Sequence, residues 1–216
     1  MSTSVIPLKC PNCTNPLKGF EMDQLFFCPN CQLAWEFSSD NPPSPYQVGY
    51  AKPVKKPNKF LSSFYLPFYL FQVEVQTDER TAQIQQVKTV LERLNKVFVP
   101  GYQLQRESYF GELGLIYTEQ GIELEEDSGV SFDERAKIGL ATRAIKDVIP
   151  YLRFYPLLMI DRRFDITGKS FDFKFQFLKI WAVPFYLLGE QIQESVLGRT
   201  FPTIALSAID NFRKSP

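Results

Sequence analysis

The sequence predicts an α+β protein, in which a small cysteine module at the N-terminus precedes a mixed, strand-rich α/β domain. All four cysteines of the 216-residue chain lie within its first 31 positions, in two copies of the tetrapeptide CPNC. Aromatic residues make up 15% of the chain, with 20 Phe and 10 Tyr. Several aromatic runs alternate at a period of two, which is typical of strands, and other segments carry apolar residues at helical spacing.

Composition divides the chain into three predicted parts. Residues 1–37 form the cysteine module. Residues 38–59 contain five prolines and a basic run from Lys52 to Lys59, which predicts an extended, semi-rigid linker. Residues 60–216 hold most of the aromatic residues and form the α/β domain.

Strands are predicted at 60–76, 97–104 and 170–188, and a hairpin at 190–201 with Gly198 near its turn. The first three share an apolar residue followed by proline, a variable residue and tyrosine, which indicates an internal β repeat. The matched residues are Pro67, Pro100 and Pro184, with Tyr69, Tyr102 and Tyr186. Because proline lacks a backbone donor, these positions are expected at strand edges or bulges.

Helices are predicted at 77–96, at 107–121 and in the C-terminal tail 202–216. The most regular helical pattern lies at 131–150, where Ser131 and Glu134 have the spacing of a capping box. Its apolar positions recur on one face at Ile138, Ala141, Ile145 and Val148, and the helix is expected to end or kink at Pro150.

The four cysteines are Cys10, Cys13, Cys28 and Cys31. Two residues between cysteines allow a tight turn to aim both sulfurs at one cation, and two such turns supply four ligands in a tetrahedron. Zn²⁺ accepts this geometry at a Zn–S distance of about 2.3 Å. Asn12 and Asn30 suit the turns, because asparagine tolerates a left-handed backbone.

Over residues 7–37 the chain resembles the zinc-ribbon family, whose short strands are held by two CPxC knuckles. It departs from the family at Thr14 and Gln32, since many family knuckles carry glycine after the second cysteine. A rubredoxin-like iron site is the alternative, although the two Cys-x-x-Cys pairs of rubredoxins, or clips, lie further apart and are followed by glycine. Four cysteines leave no open position, so the resemblance implies a structural zinc ion. The order of an N-terminal zinc ribbon, a proline-rich linker and a domain with LPFY-like segments resembles that of a group of uncharacterised bacterial zinc-ribbon proteins.

The composition excludes several function classes. Lys plus Arg equals Asp plus Glu at 24 each, so the chain has no general attraction to nucleic acid. It contains no histidine, which excludes a Ser-His-Asp triad and a histidine general base within the chain. No apolar run is long enough to span a bilayer and no signal peptide is apparent, so a cytoplasmic location is expected.

The leading functional hypothesis is a non-enzymatic interaction or scaffold protein, with no catalytic residues and another protein as partner. One alternative is a nucleic-acid-binding protein that uses the ribbon and the linker lysines Lys52, Lys55, Lys56 and Lys59. The other is an enzyme with a carboxylate and tyrosine site in the large domain. Its candidate tyrosines are those of the repeat, and its candidate acidic residues form two clusters: Glu123, Glu125, Glu126 and Asp127, and Asp133 with Glu134.

Overall fold

A computed structural model describes residues 8–37, 42–76, 82–93, 95–103 and 109–208. Within these ranges the fold is α+β, as predicted, with one eight-stranded sheet. The strands are β1 (Leu25–Cys28), β2 (Leu33–Glu36), β3 (Ser44–Tyr50), β4 (Ser62–Gln76), β5 (Lys96–Pro100), β6 (Asp172–Leu187), β7 (Gln191–Glu194) and β8 (Thr200–Pro202). The α-helices are α1 (Ala82–Arg93), α2 (Tyr109–Glu119), α3 (Phe132–Arg135), α4 (Ile145–Val148) and α5 (Phe154–Asp161), and 3₁₀ helices cover Ile149–Tyr151 and Thr203–Ala208.

The sheet runs in the order β1-β2-β3-β6-β4-β5, and the β7–β8 hairpin also pairs with β6. The β3–β6 pair is parallel and the other pairs are antiparallel. The cysteine module and the large domain therefore share one sheet in the described residues. The predicted hairpin at 190–201 is confirmed, and Gly198 takes the left-handed conformation in its turn with a φ of 74°.

The two longest strands, β4 and β6, form the centre of the sheet, and β6 contains a bulge. Leu70 pairs with Lys179 but the next residue, Phe71, pairs with Phe177, so Leu178 has no opposite residue. A bulge of this kind changes which alternate residues face each side of the sheet. The half-buried Phe177 before the bulge therefore faces the same core as the buried Ile180 after it.

Two prolines of the predicted repeat lie inside these central strands rather than at a sheet edge. Pro67 of β4 accepts a hydrogen bond from the Gly101 N–H at 2.9 Å, and Pro184 of β6 accepts one from the Ser195 N–H at 3.1 Å. Because the N and O of one strand residue point the same way, both prolines turn their missing donor away from the β4–β6 ladder. The expectation of edges or bulges was therefore wrong for these two positions.

Apolar side chains are buried on both faces of the sheet. One core combines β4 and β6 with the segment 138–152 and with the module residues Leu25, Phe27 and Ala34. The other core packs α2 and the last 3₁₀ helix against the opposite face. The N-terminal module thus supplies part of the main core.

The predicted linker contributes a strand to the sheet. Residues 44–47 pair with β2 and residues 48–50 pair with β6, so β3 joins the two parts of the sheet. The sequence feature that indicates a strand here is the alternation of Tyr46, Val48 and Tyr50, and the side chains of Val48 and Tyr50 are buried. The prolines dominate the composition of the segment, but Pro45 lies near the beginning of β3, where a missing donor is tolerated.

The helix predicted at 131–150 is confirmed only at its ends. The capping box of Ser131 and Glu134 is present, but α3 ends at Arg135 and helical structure returns with α4. The chain between them bonds to other elements: the Tyr65 N–H donates to the Lys137 O, and the Arg143 N–H donates to the Gly101 O. These tertiary hydrogen bonds replace the helical bonds that the local pattern predicted.

The helices predicted near 77–96 and 107–121 are confirmed as α1 and α2. Only the beginning of the predicted C-terminal helix lies in the described residues, where 203–208 form a 3₁₀ helix. No helix in the described ranges combines the length and apolar character needed to cross a bilayer.

Candidate metal centre

The four cysteines lie in two tight turns that face each other. Cys10 and Cys13 belong to a loop closed by the bridge between Lys9 and Pro16. Cys28 ends β1, and Cys31 lies in the turn that leads into β2. The antiparallel pairing of β1 with β2 fixes the second turn, and the bridge between Lys18 and Phe27 joins the first turn to β1.

The sulfur atoms form a compact cluster with the dimensions of a tetrahedral thiolate site. All four Sγ atoms lie within 4.8 Å of one another. Cys10 and Cys31 are 3.9 Å apart and Cys13 and Cys28 are 3.5 Å apart, measured between Sγ atoms. A Zn–S bond of about 2.3 Å implies a sulfur–sulfur separation of about 3.8 Å in a tetrahedron. The thiols are free, and they are positioned to hold one metal ion.

Each turn places the residue after its second cysteine in the left-handed region. The Thr14 N–H donates to the Cys10 O at 2.8 Å, and the Gln32 N–H donates to the Cys28 O at 3.0 Å. These closures require φ values of 62° at Thr14 and 55° at Gln32. The left-handed positions are therefore those where family knuckles often carry glycine, and the prediction that asparagine supplied them was wrong.

The side chains of Asn12 and Asn30 instead form hydrogen bonds with cysteine side chains. The Asn12 side-chain amide donates to the Cys31 Sγ at 3.3 Å, across the site from its own turn. In the other direction, the Asn30 side chain forms a hydrogen bond with the Cys13 side chain. The duplicated CPNC sequence thus gives each turn two sulfurs and one amide directed at the opposite turn. Such donors stabilise thiolate charge and orient the ligands.

The thiols differ in their proton affinity. Chiefly the Asn15 backbone N–H, helped by the Cys31 side chain, lowers the pKa of Cys13 to about 6. Burial raises the pKa of Cys28 to about 12, and burial also raises the pKa of Cys31. Because metal ligands are thiolates, a metal must displace protons from the buried cysteines, and its affinity will fall as the pH is lowered.

A residue of the large domain forms a hydrogen bond with the turn that carries Cys28 and Cys31. The Arg135 guanidinium donates from Nη1 to the Pro29 O and from Nε to the Val130 O, both at 3.1 Å. The Tyr50 hydroxyl in turn donates to the Arg135 backbone O at 3.1 Å. Sequence reasoning missed Arg135, because 106 positions separate it from Pro29 and no local pattern connects them.

A second junction joins the first half of the module to the segment after α3. The Gln24 N–H donates to the Ala141 O at 2.7 Å. Beside this bond lies Asp23, which is 5% exposed and accepts from the Phe20 N–H at 2.8 Å through Oδ2. Its Oδ1 atom is buried with no hydrogen-bond partner among the described residues. Burial raises the pKa of Asp23 to about 6.

We expect Asp23→Asn to stabilise the fold at pH 7. The Asp23 pKa is raised from 3.8, so the folded state holds this proton more tightly than the unfolded chain does. The stability of the wild type therefore falls as the pH rises from about 4 to about 6, and the penalty is complete above that window. The variant should gain roughly 1–3 kcal/mol in free energy of unfolding at pH 7 and nothing below about pH 4.

Urea unfolding at a series of pH values measures this difference. Glu21→Gln is the matched control, because Glu21 is an exposed acidic residue of the same turn. It should change the stability little at any pH. A gain for Asp23→Asn that is independent of pH, or no gain at pH 7, would contradict the assignment of a buried, unfavourable charge.

The other acidic candidates do not converge on a site. Three of them form exposed ion pairs with lysines from three different segments: Lys96 with Glu123, Lys52 with Glu125 and Lys179 with Glu126. Asp127 accepts from the Gly129 N–H at 2.9 Å. The loop is thus a solvated charged edge that runs beside β3.

The repeat tyrosines are core residues. Tyr69, Tyr102 and Tyr186 are at most 4% exposed. The Tyr69 hydroxyl donates to the Arg143 O at 2.5 Å, which ties β4 to the segment before α4. The repeat therefore marks positions whose tyrosine side chains pack in the core.

Comparisons with known proteins return no match: no family model fits the sequence, and no curated protein and no solved structure is significantly similar to the chain.

Proposed function

We propose that Cys10, Cys13, Cys28 and Cys31 bind one Zn²⁺ as a structural site, and that the chain is a non-enzymatic, zinc-stabilised interaction protein. The observation that carries the proposal is the cluster of four Sγ atoms within 4.8 Å, at separations that suit a tetrahedral thiolate complex. Four protein sulfurs would fill the coordination sphere and leave no position for a substrate.

The position of the cluster supports a structural role. Phe27 and Ala34, in the strands that carry Cys28 and follow Cys31, are buried in the main core. The Arg135 contact to the Pro29 O fixes the same turn from the large domain. Zinc would hold β1 and β2 at their end of the sheet and so maintain the surface that the chain offers to a partner.

Zinc is favoured over iron by the sequence around the ligands. Fourteen residues separate the two clips, fewer than in rubredoxin-like proteins, and Thr14 and Gln32 stand where glycine follows rubredoxin clips. A zinc ion also contributes on the order of 10 kcal/mol to the folding of small cysteine modules, without redox chemistry.

A protein partner is favoured over nucleic acid by the charge distribution. Lys52 of the basic run pairs with Glu125, and Glu126, the next residue, pairs with Lys179 of β6, so acidic side chains lie beside the beginning of the basic run. A surface of mixed sign gives little of the counterion release that drives nucleic-acid binding.

Replacement of the metal by Co²⁺ tests the closed site. The protein refolded with cobalt should give the intense visible bands of a tetrahedral thiolate complex, and added imidazole should leave the spectrum unchanged because no position is open. A weak octahedral spectrum, or a spectrum that shifts with imidazole, would exclude the closed four-sulfur site. Any substrate turnover by the metal-free protein would remove the non-enzymatic assignment.

A further inference from the structure

The second half of the chain exposes an apolar stripe that runs onto α5, a helix whose residues 154–160 are all apolar or aromatic. Residues 145–161 run through α4, a 3₁₀ turn and α5 with little interruption. Leu152, Met159 and Ile160 on the inner side are at most 1% exposed. A helix that is apolar on every side is normally covered on every side.

The outer side of this helical segment carries Tyr151, Phe154 and Leu158. They are spaced by three and four residues, so they lie one above the other on one face. Their side chains are exposed by 62%, 53% and 42% respectively. The Arg153 guanidinium lies 5.2 Å from the centre of the Phe154 ring and covers only one side of it. Tyrosine, phenylalanine and arginine are typical of interface centres.

Charged residues of opposite sign flank the stripe. Asp147 lies one turn before Tyr151, and Arg162 lies one turn after Leu158. Asp147 is exposed, and Arg162 is bound to Glu119 of α2 by an ion pair at the surface. Each of these charges has an exposed neighbour of the other sign, Lys146 beside Asp147 and Asp161 beside Arg162. Asp147 and Arg162 are equally far from the centre of the stripe, so they would face each other if two copies of the helix packed antiparallel.

We propose that this stripe is the contact surface of a two-fold dimer of this chain, with the two copies of the helix packed antiparallel. A two-fold axis between Phe154 and Tyr155 places Tyr151 beside Leu158 of the second copy. The same axis brings Asp147 beside Arg162 of the second copy and the two Phe154 rings together. A self-complementary patch of this kind is what a two-fold interface requires.

The inference deepens the proposed interaction function by naming a second copy of the chain as the partner. It rests on that proposal only for the idea that the chain binds a protein, because the stripe contains no metal ligand. Zinc content and association are therefore measured on the same samples. A protein that associates but contains no zinc would refute the structural metal site and leave the dimer standing. A protein that contains zinc but does not associate would refute the dimer and leave the metal site standing.

Sedimentation velocity of the zinc-loaded full chain over roughly 1 to 100 μM tests the dimer. The wild type should shift from one to two chains per particle within this range. Phe154→Asp should weaken association at least tenfold, since it places a charge at the centre of an apolar contact. Ile204→Asp is the matched control: Ile204 is 72% exposed, lies outside the stripe and should leave association unchanged.

Charge reversal tests the antiparallel arrangement. Asp147→Lys alone should weaken association roughly threefold to tenfold by opposing Arg162 of the second copy. Arg162→Glu with Glu119→Lys keeps an ion pair within the chain and should weaken association by a similar factor. All three changes together should restore the affinity of the wild type.

A monomeric wild type across the range would overturn the proposal, whether or not the protein then binds anionic vesicles or another protein through this stripe. A dimer that Phe154→Asp leaves intact would also overturn it. Circular dichroism of each variant confirms that the fold is retained, which is expected because all the substituted positions other than Glu119 are exposed.

Discussion

Cys28→Ser is expected to abolish tight zinc binding and to produce the largest loss of stability of any single change considered. Cys28 is 1% exposed and lies at the end of β1, within 3.5 Å of the Cys13 sulfur. Serine at this position offers a poor zinc ligand and a buried hydroxyl. Since structural zinc contributes on the order of 10 kcal/mol in small modules, we expect a loss of about 5 kcal/mol or more in the free energy of unfolding.

The loss should extend beyond the module itself. Leu25 and Phe27 precede Cys28 in β1 and are buried in the main core, so disorder of β1 would expose part of that core. Thermal unfolding of wild type and variant, each with and without a chelator, separates the metal effect from the substitution. The chelated wild type should approach the variant, and the variant should not respond to the chelator.

Asn12→Ala is the matched control for Cys28→Ser. It removes one amide–sulfur hydrogen bond but leaves four thiolates, so it should retain the metal and lose about 1 kcal/mol. Equal stability and equal zinc content in wild type and Cys28→Ser would show that Cys28 is not a ligand of a structural zinc ion.

Glu194→Ala is expected to destabilise the fold by about 4 kcal/mol. The Glu194 side chain is fully buried and organises the turn between β7 and β8. Its Oε2 accepts from the Tyr117 hydroxyl and the Val196 N–H, each at 2.8 Å. Its Oε1 accepts from the Leu197 N–H at 2.7 Å and the Arg199 N–H at 3.2 Å. Alanine would leave four donors without their acceptor. The Tyr117 hydroxyl and the Val196 N–H are in buried hydrogen bonds, and each unsatisfied buried donor costs about 1–3 kcal/mol.

Urea unfolding at pH 7 measures this effect. Glu190→Ala is the control, because Glu190 is an exposed acidic residue of the same hairpin and should change the stability by less than about 0.5 kcal/mol. Tyr117→Phe should lose about 1 kcal/mol, and the double variant should lose less than the sum because the two residues share a hydrogen bond. A loss below about 1 kcal/mol for Glu194→Ala would show that the carboxylate is replaced by water.

The local parts of this structure are predictable from the sequence. The spacing of the two clips predicts the sulfur cluster, because the ligands lie within short turns. The alternating aromatic residues predict β4 and β6, and Ser131 with Glu134 predicts the beginning of α3. Each of these features depends on residues that are close together in the chain.

The parts that were missed depend on contacts between distant residues. Nothing near Ala141 reveals that its carbonyl bonds to the Gln24 N–H, yet this contact is one reason why the predicted helix is interrupted. The proline content of 38–59 obscured β3, whose neighbours β2 and β6 come from opposite ends of the chain. Glu194 and Arg135 likewise act on partners 77 and 106 positions away.

Elemental analysis of the purified chain tests the central claim most directly. Inductively coupled plasma mass spectrometry, normalised to protein concentration, should find one zinc per chain in the wild type and little zinc in Cys28→Ser. We expect zinc rather than iron, and four free thiols after the metal is removed. A wild type that carries iron, or that carries no metal and holds its cysteines as disulfides, would contradict the structural zinc site.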